Sequence, residues 1–353
     1  MNPIGWLLAL IQALMYIALA PLLAGWVRKV KARLQNRRGA AIWQPYQDLY
    51  KLFVKEARMA HTASILFRAA PYIVFVATWL AATAVPLLTS DLATAAIADV
   101  IVIAGLLALA RFFLALAGMD VGTAFGGMGA SREMFVSALA EPAMLMAVFT
   151  LAMSAHSTNL SAVVDYQLNG ANSLFQLSGA NSLRPSYLFA LAGLVLVAIA
   201  ETGRIPIDNP TTHLELTMIH EAMILEYSGR HLALMEWAAQ LKLLLYGVLL
   251  VNVFFPWGMA QEAGAATLAL ALLVLLGKLM LLGIALALSE TVLAKMRLFR
   301  APAFLNLALL LSSSVVDIAV GSISAEALPT VPSTAVIASM ACGCIGVVAA
   351  WSR

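Results

Sequence analysis

Long apolar runs separated by short polar connections dominate the chain. A helix needs about 20 mainly apolar residues to cross the hydrocarbon core of a bilayer. Runs that approach this length lie at residues 4–27, 70–89, 95–117, 134–155, 185–201, 234–257, 265–289, 302–320 and 332–351. The pattern therefore predicts an all-α polytopic membrane protein with about eight or nine transmembrane helices.

The composition agrees with a membrane protein and excludes a soluble one. Of the 353 residues, 62% are hydrophobic and 11% are charged, whereas soluble domains carry roughly a quarter of their residues as charged ones. No basic residue precedes the first apolar run, so we interpret that run as a lasting helix and not as a removable signal peptide.

Basic residues predict the orientation of the chain. They concentrate in alternate connections: Arg28, Lys29, Lys31, Arg33, Arg37, Arg38, Lys51, Lys55, Arg58, Arg68, Arg132, Arg204, Arg230, Lys295, Arg297 and Arg300. Because cytoplasmic loops carry an excess of Lys and Arg, the N-terminus is predicted to lie outside. Long cytoplasmic loops are then expected at 28–69 and 201–233. The net charge of +3 reflects this topology and not nucleic-acid binding.

Two connections have distinctive patterns. WQPYQDLYKLFVKEA, from residue 43 to 57, alternates apolar and charged positions at helical spacing and predicts an amphipathic helix at the membrane surface or against a partner. GMDVGTAFGGMGASRE, from residue 118 to 133, is rich in glycine but lacks a phosphate-binding motif. We interpret it as a flexible or tightly packed cytoplasmic connection.

The connection at 201–231, ETGRIPIDNPTTHLELTMIHEAMILEYSGRH, is unusually dense in acids and histidines for a membrane protein. Its prolines interrupt any helix at the start. Asn209-Pro210 is typical of a helix start and Ser228-Gly229 of a helix end, which predicts a helix over about 211–227.

The histidines and cysteines do not indicate a metal site. HEAMI begins like HExxH, but Ile224 occupies the position of the second ligand, and His213 and His220 lie two helical turns apart. Cys342 and Cys344 are too few for an iron–sulfur cluster, which usually takes four cysteines, so packing explains them. We expect no redox centre in this chain.

Charged residues inside the apolar runs are the strongest indication of function. Arg111, Glu141, Lys242 and Lys278 lie within predicted spans, and Glu290 ends the seventh. Each charge at bilayer depth costs at least about 2.5–3.5 kcal/mol. We therefore expect them to pair around a shared hydrated interior and to mark a proton or ion path. Proline after Glu141 would free carbonyls one turn earlier.

Three segments resemble a known family, the membrane subunit shared by respiratory complex I (NADH dehydrogenase subunit 1) and energy-converting nickel–iron hydrogenases. They are KARLQNRRGAAIWQPYQDLYKLFVKE at 31–56, SREMFVSALAEPAML at 131–145 and ETGRIPIDNPTTHLELTMIHEAMILEYSG at 201–229. The resemblance covers roughly residues 1–315. We accordingly expect one membrane domain at 1–320 and a C-terminal extension at 321–353, which contains the candidate span at 332–351.

Departures from the complex I pattern favour the hydrogenase-4 and formate hydrogenlyase branch. Thr211 and His213 stand where complex I members usually carry acids, and Ala40 replaces a common proline. The resemblance implies a non-catalytic membrane-anchor and proton-path subunit of the bacterial cytoplasmic membrane. A nickel–iron centre and iron–sulfur clusters are expected in the hydrogenase large and small subunits and the iron–sulfur subunit, with antiporter-like subunits as membrane partners.

The resemblance and the buried charges together select two sets of residues. The expected proton-path residues are Arg111, Glu141, Glu201, Arg204, Asp208, Glu215, Glu221, Glu226, Lys242, Lys278 and Glu290. The expected partner-docking residues are Arg37, Arg38, Gln44, Asp48, Lys51 and Arg132. Two alternative functions stay open: the quinone-binding membrane subunit of a complex I relative, and a stand-alone secondary transporter, although the paired repeats common in transporters are not evident.

Overall fold

The computed structural model describes residues 3–60, 62–90, 94–95, 98–169, 185–204, 208, 218–260, 264–292 and 304–311, all within one compact unit, residues 1–316. The helices of this described part are α1 (Pro3–Leu34), α2 (Gln44–Val54), α3 (Ile65–Ala84), α4 (Val100–Asp120), α5 (Ala124–Ala155), α6 (Leu160–Asn169), α7 (Pro185–Glu201), α8 (His220–Ile224), α9 (Gly229–Phe254) and α10 (Ala265–Val292). Residues 304–311 are also helical.

Six of the described helices are long and apolar enough to cross a membrane: α1, α3, α4, α5, α9 and α10. α7 contributes a shorter apolar helix at Leu188–Glu201. The prediction of an all-α polytopic protein is therefore confirmed. Only residues 304–311 of the predicted eighth span are described, and the ninth lies outside the described residues. The outward N-terminus stays a prediction, and we call the end predicted to face the cytoplasm the inner end.

α9 forms the centre of the bundle. In its apolar window 83% of residues are buried, against 22% for α10, and α9 packs against α1, α3, α7 and α10. α10 consequently presents large apolar side chains such as Leu273 and Leu281 outward. α9 therefore carries charged side chains into the interior of the described bundle.

The glycine-rich stretch at 118–133 is mostly helical, so a connection over its whole length is corrected, whereas close packing, one of the two predicted alternatives, is present. α4 continues to Asp120 and α5 begins at Ala124 after a short turn. The Thr123 side chain accepts a hydrogen bond from the Gly126 backbone amide and caps α5. A Cβ at Gly126 would lie 2.0 Å from the Gly118 carbonyl oxygen, so glycine permits the two helices to meet closely.

The helix predicted over 211–227 is also corrected, because the described part of that range contains only α8 as a helix. Asn209, Pro210 and residues 211–217 lie outside the described residues. Ser228 and Gly229 do not end a helix; they begin α9, with Ser228 at the N-cap and Gly229 at a φ of 55°. The sixth span consequently starts earlier than predicted.

Two shorter helices complete the described fold. α2 confirms the predicted amphipathic helix, since Pro45 and Leu49 are buried while Tyr50 and Val54 are exposed. α6 was not predicted; it follows α5 and packs against α5 and α9. Its ten residues are too few and too polar to meet the length rule that identified the spans.

Candidate functional site: a buried ion-pair network

Four charged side chains from four helices meet inside the bundle. An Arg111 Nη2 atom on α4 lies 2.7 Å from Glu201 Oε2 on α7, and Nη1 lies 3.2 Å from Glu141 Oε1 on α5. Lys242 Nζ on α9 lies 2.9 Å from the same Glu201 oxygen. The side chains of Arg111 and Glu201 are only 4% and 2% exposed. We call Arg111, Glu141, Glu201 and Lys242 the central network.

The two cations and two carboxylates of the central network balance in charge, but the nitrogens of Arg111 have no hydrogen-bond partner among the described residues. The Arg111 nitrogens approach the two carboxylates at ion-pair distance without hydrogen-bond alignment, and Arg111 Nε has no hydrogen-bond partner among the described residues. Buried donors of this kind usually bind ordered water. The geometry therefore leaves the guanidinium able to engage water as well as both carboxylates.

Glu141 is held by its own helix. The Ser137 hydroxyl, one turn earlier, donates a hydrogen bond of 2.9 Å to Glu141 Oε1. α5 continues through Pro142, and since proline has no amide proton, the carbonyl of Ala138 loses its intrahelical donor. The Glu141 side chain is 31% exposed, so this carboxylate lies nearer the flank of the described bundle than Glu201.

A second ion-pair group lies nearer the inner end. Lys31 Nζ, on α1, is 2.6 Å from Glu290 Oε2 on α10, and an Arg204 nitrogen contacts the other Glu290 oxygen. Gly203, at a φ of 59°, turns the chain after α7, and the Arg204 amide donates to the Ile199 carbonyl at 3.2 Å. This Schellman ending places Arg204 beside Glu290. We call these three residues the Glu290 clamp.

One cavity of about 650 Å³ connects the two groups. It extends from exposed Arg37 and Arg38 down to buried Glu201 and half-buried Lys242. Titratable side chains line its wall: Glu133, Asp208, His220, Glu221, Glu236 and Glu290. A polar, charge-lined space of this size can hold many water molecules, so the central network has a route to the inner end.

The structure brings together most, but not all, of the predicted proton-path residues. Lys278 lies apart, and its Nζ donates to the Phe255 carbonyl at 2.5 Å, at the end of α9. The buried Asp208 carboxylate accepts hydrogen bonds from the amides of Ile219 and His220 at 3.3 and 3.2 Å, and so orders the chain before α8. Glu226 does not line the cavity, and Glu215 lies outside the described residues.

Three of the predicted docking residues have partners within the chain. The Gln44 side chain donates to Asp48 at 2.9 Å, and the Arg132 guanidinium donates to the Met218 carbonyl at 3.1 Å. Lys51 is exposed, while Arg37 and Arg38 line the cavity. Their roles in docking stay predictions.

The motif at the end of the 201–231 connection joins two segments at the inner end through hydrogen bonds and ring stacking. The ring of Tyr227 stacks on Phe67 with centroids 3.9 Å apart, and its hydroxyl donates to the Phe67 carbonyl at 2.9 Å. Burial, with a smaller contribution from Asp120, raises the pKa of Tyr227, so it stays a donor. The Ser228 hydroxyl accepts from the Arg58 amide and donates to the Arg58 carbonyl.

Sequence reasoning missed four charged residues of the cavity. Arg28 and Lys31 were assigned only to topology, and Glu133 and Glu236 were not selected. Glu133 lies in the stretch interpreted as a connection, and Glu236 lies near the start of a predicted span, where charge is common. One spacing was a usable signal: Glu133 is eight residues, about two helical turns, before Glu141.

The fold and the buried charges define a multi-pass membrane protein with an internal ion-pair network. The chain belongs to the NADH dehydrogenase family, which matches residues 6–321. It is 35% identical to hydrogenase-4 component C of Escherichia coli K12 over 289 residues, or 82% of this chain and 88% of that protein. Formate hydrogenlyase subunit 4 of the same organism is also 35% identical, over 82% of this chain and 90% of that protein.

More distant relatives include an NADH-quinone oxidoreductase subunit of Salinibacter ruber, 26% identical over 67% of this chain and 68% of that protein. Among solved structures, a chain of the membrane-bound sulfane sulfur reductase, an archaeal respiratory membrane complex, matches with a TM-score of 0.71. The match covers 88% of this chain and 99% of that one at 21% identity, which supports the fold.

Proposed function

We propose that this chain is the membrane-anchor and proton-path subunit of a membrane-bound nickel–iron hydrogenase complex of the hydrogenase-4 or formate hydrogenlyase type, in a bacterial cytoplasmic membrane. The observation that carries the proton path is the central network at the floor of a cavity that reaches the inner end. The greater similarity to the two hydrogenase components than to the NADH-quinone oxidoreductase subunits supports this type of complex.

Protons enter from the cavity and reach Glu201 first. Its carboxylate lies between Arg111 and Lys242, so protonation of Glu201 weakens both ion pairs. The proton then passes from Glu201 through water beside Arg111 to Glu141, whose side chain is partly exposed on the far side of the guanidinium, and Glu201, ionised again, re-forms both ion pairs. Because the four groups interact so closely, they titrate as a set. Glu141 delivers the proton toward a neighbouring membrane subunit of the antiporter-like class.

The soluble electron-transfer module docks on the inner end. Residues 28–58 carry nine basic and two acidic side chains: Arg28, Lys29, Lys31, Arg33, Arg37, Arg38, Lys51, Lys55 and Arg58 against Asp48 and Glu56. Such a surface attracts an acidic partner and guides its approach. Redox change in that module alters the field at the cavity, and so the proton affinity of the groups that line it.

Purification of the complete complex through a tag on this chain tests the assignment. We expect nickel and iron to copurify, together with hydrogen-forming activity that depends on a reduced donor. A complex that lacks nickel and oxidises NADH with a quinone would contradict the proposal.

A quinone-binding subunit of a complex I relative is the second candidate. The cavity of about 650 Å³ has the size of a small-molecule site, and the relatives at 26% identity are NADH-quinone oxidoreductase subunits. Quinone-site inhibitors distinguish the two functions. Insensitivity of the purified complex favours the hydrogenase, and tight inhibition favours the quinone enzyme.

A further inference from the structure

Two residues on α9 lie between the mouth of the cavity and the central network. Glu236 and Gln240 both line the cavity and are four residues apart, so they share one face of the helix at a rise of about 6 Å. Lys242 of the central network follows two residues later. Lys242 lies on a different face of α9 from this pair but also lines the cavity, so α9 borders the cavity from Glu236 to the depth of Lys242.

Glu236, like Glu133 and Glu221, lines the cavity without a fixed partner among the described residues, but only Glu236 lies on α9, the helix that also carries Lys242 of the central network. Glu201 and Glu290 each contact two cations. Within the described part of the chain, Glu236 has no cation within 4 Å and no hydrogen bond, while Arg28 and the acids Glu221 and Asp48 lie close enough to influence its charge. A half-buried carboxylate without a fixed partner can both accept and release a proton.

Gln240 provides the second observation. Its side chain belongs to a residue only 7% exposed, and its Oε1 has no hydrogen-bond partner among the described residues. An unpaired buried carbonyl oxygen is destabilising unless water satisfies it. Since Gln240 lines the cavity, a bound water at Oε1 is the natural partner.

We infer that Glu236 and Gln240 form the entry limb of the proton path, an inference that rests on the function proposed above. Glu236 accepts a proton from cavity water and returns it to the water held at Gln240 Oε1. That water passes a proton to the Glu201 carboxylate. Gln240 gains and loses no proton and acts as a positioning residue, and no electron is transferred in any of these steps.

The Glu290 clamp is not the entry limb. Both of its carboxylate oxygens are occupied by cations, Lys31 on one side and Arg204 on the other. Transfer through Glu290 would require breaking two ion pairs for each proton. The clamp therefore fixes the wall of the cavity, joining α1, α10 and the end of α7.

The test compares proton uptake with hydrogen formation in inverted membrane vesicles that hold the complete complex. Glu236→Gln and Gln240→Leu should lower proton uptake by about tenfold or more, the range expected when a positioned proton-transfer group is lost. Hydrogen formation in the presence of an uncoupler should stay near the wild-type rate. Gln240→Glu keeps an oxygen at the same place and should keep proton uptake.

Asp99→Asn is the matched control. It makes the same carboxylate-to-amide change at the start of α4, about 18 Å along the helix from Arg111, at an N-cap where asparagine serves as well as aspartate. If a Glu236→Gln complex does not assemble, Glu236→Asp, which keeps the carboxylate, must restore both assembly and proton uptake.

The outcomes separate this inference from the proposed function. Loss of uptake in Glu236→Gln and in Glu201→Gln, with the control unchanged, supports both. Normal uptake in Glu236→Gln with loss in Glu201→Gln overturns the entry limb alone. Normal uptake in both variants overturns the proton path itself.

Discussion

Arg111 is the residue on which the central network depends. It is the cation that joins the enclosed Glu201 to the more exposed Glu141, and its own burial makes it costly to hold without those partners. Lys242 reaches only Glu201. The guanidinium fork can meet two carboxylates at once, which the single ammonium of a lysine does less well.

Replacement of Arg111 tests this dependence. Arg111→Met should lower the free energy of unfolding by about 3–5 kcal/mol, because buried carboxylates lose their cation. Thermal unfolding of the purified protein in detergent measures the effect, with Arg33→Met at an exposed position of α1 as the control. Equal melting temperatures for the two variants would contradict the role given to Arg111.

Gly229 is required where α9 begins. Its φ is 55°, and a Cβ there would lie 2.7 Å from the Lys55 carbonyl oxygen and 2.8 Å from the Ala57 nitrogen. Gly229→Ala should cost at least about 1 kcal/mol from the left-handed backbone alone. Gly105→Ala on α4, where a Cβ would meet nothing within 4 Å, is the control. If Gly229→Ala and Gly105→Ala were equally stable in the same unfolding assay, the requirement for glycine at position 229 would be contradicted.

At the residue scale, the sequence predicted which residues form the central network but not which of them pair with each other. Arg111, Glu141, Glu201 and Lys242 were selected because charge is expensive in lipid. Lys278 has the same signal, yet the structure places it against a backbone carbonyl at the end of α9. Depth alone does not tell which way a side chain points around its helix, so pairing required the three-dimensional arrangement.

At the element scale, the segment between α3 and α4 covers the end of the described bundle that lies opposite the inner end. Residues 85–88 are buried without regular structure. Their carbonyls accept hydrogen bonds from side chains of two helices: Gln12 and Tyr16 of α1 bond Val85, and Asn252 of α9 bonds Pro86 and Leu87. Irregular backbone at membrane depth persists only where such partners exist.

Asn252→Leu should weaken this closure. Two carbonyls lose donors at 2.9 and 3.0 Å, and interhelical hydrogen bonds in membrane proteins contribute about 0.6–1.7 kcal/mol each, so we expect a loss of about 1–3 kcal/mol. Thr78→Val is the control, because Thr78 bonds only a carbonyl of its own helix at 2.7 Å. Thermal unfolding measures the stability of both variants. A larger loss of stability in Thr78→Val than in Asn252→Leu would contradict the role given to Asn252.

Element boundaries were predictable where apolar length decided them and not where packing did. α10 and α7 begin at the predicted residues, 265 and 185. The stretch before residue 133 was interpreted as a flexible or tightly packed connection, whereas most of it is helical and Gly118 and Gly126 allow α4 and α5 to approach. Helix contacts of this kind depend on how two helices pack in three dimensions, and a local pattern of residue types does not contain that information.

At the scale of the whole molecule, apolar helices enclose a polar interior in the described bundle. α4, α5, α7 and α9 each contribute one charge to the central network, and the cavity links it to the basic inner end. The sequence predicted the class and the family resemblance, and the match over residues 6–321 bears out that resemblance. The cavity itself was not predictable, because it arises from the joint packing of several elements.

The most direct measurement is the number of protons taken up for each hydrogen molecule formed by inverted vesicles that carry Glu201→Gln in the complete complex. We predict that proton uptake is lost while hydrogen formation under uncoupled conditions continues, and that Asp99→Asn behaves like the wild type. Wild-type proton uptake in a fully assembled Glu201→Gln complex would contradict the claim that the buried network conducts protons.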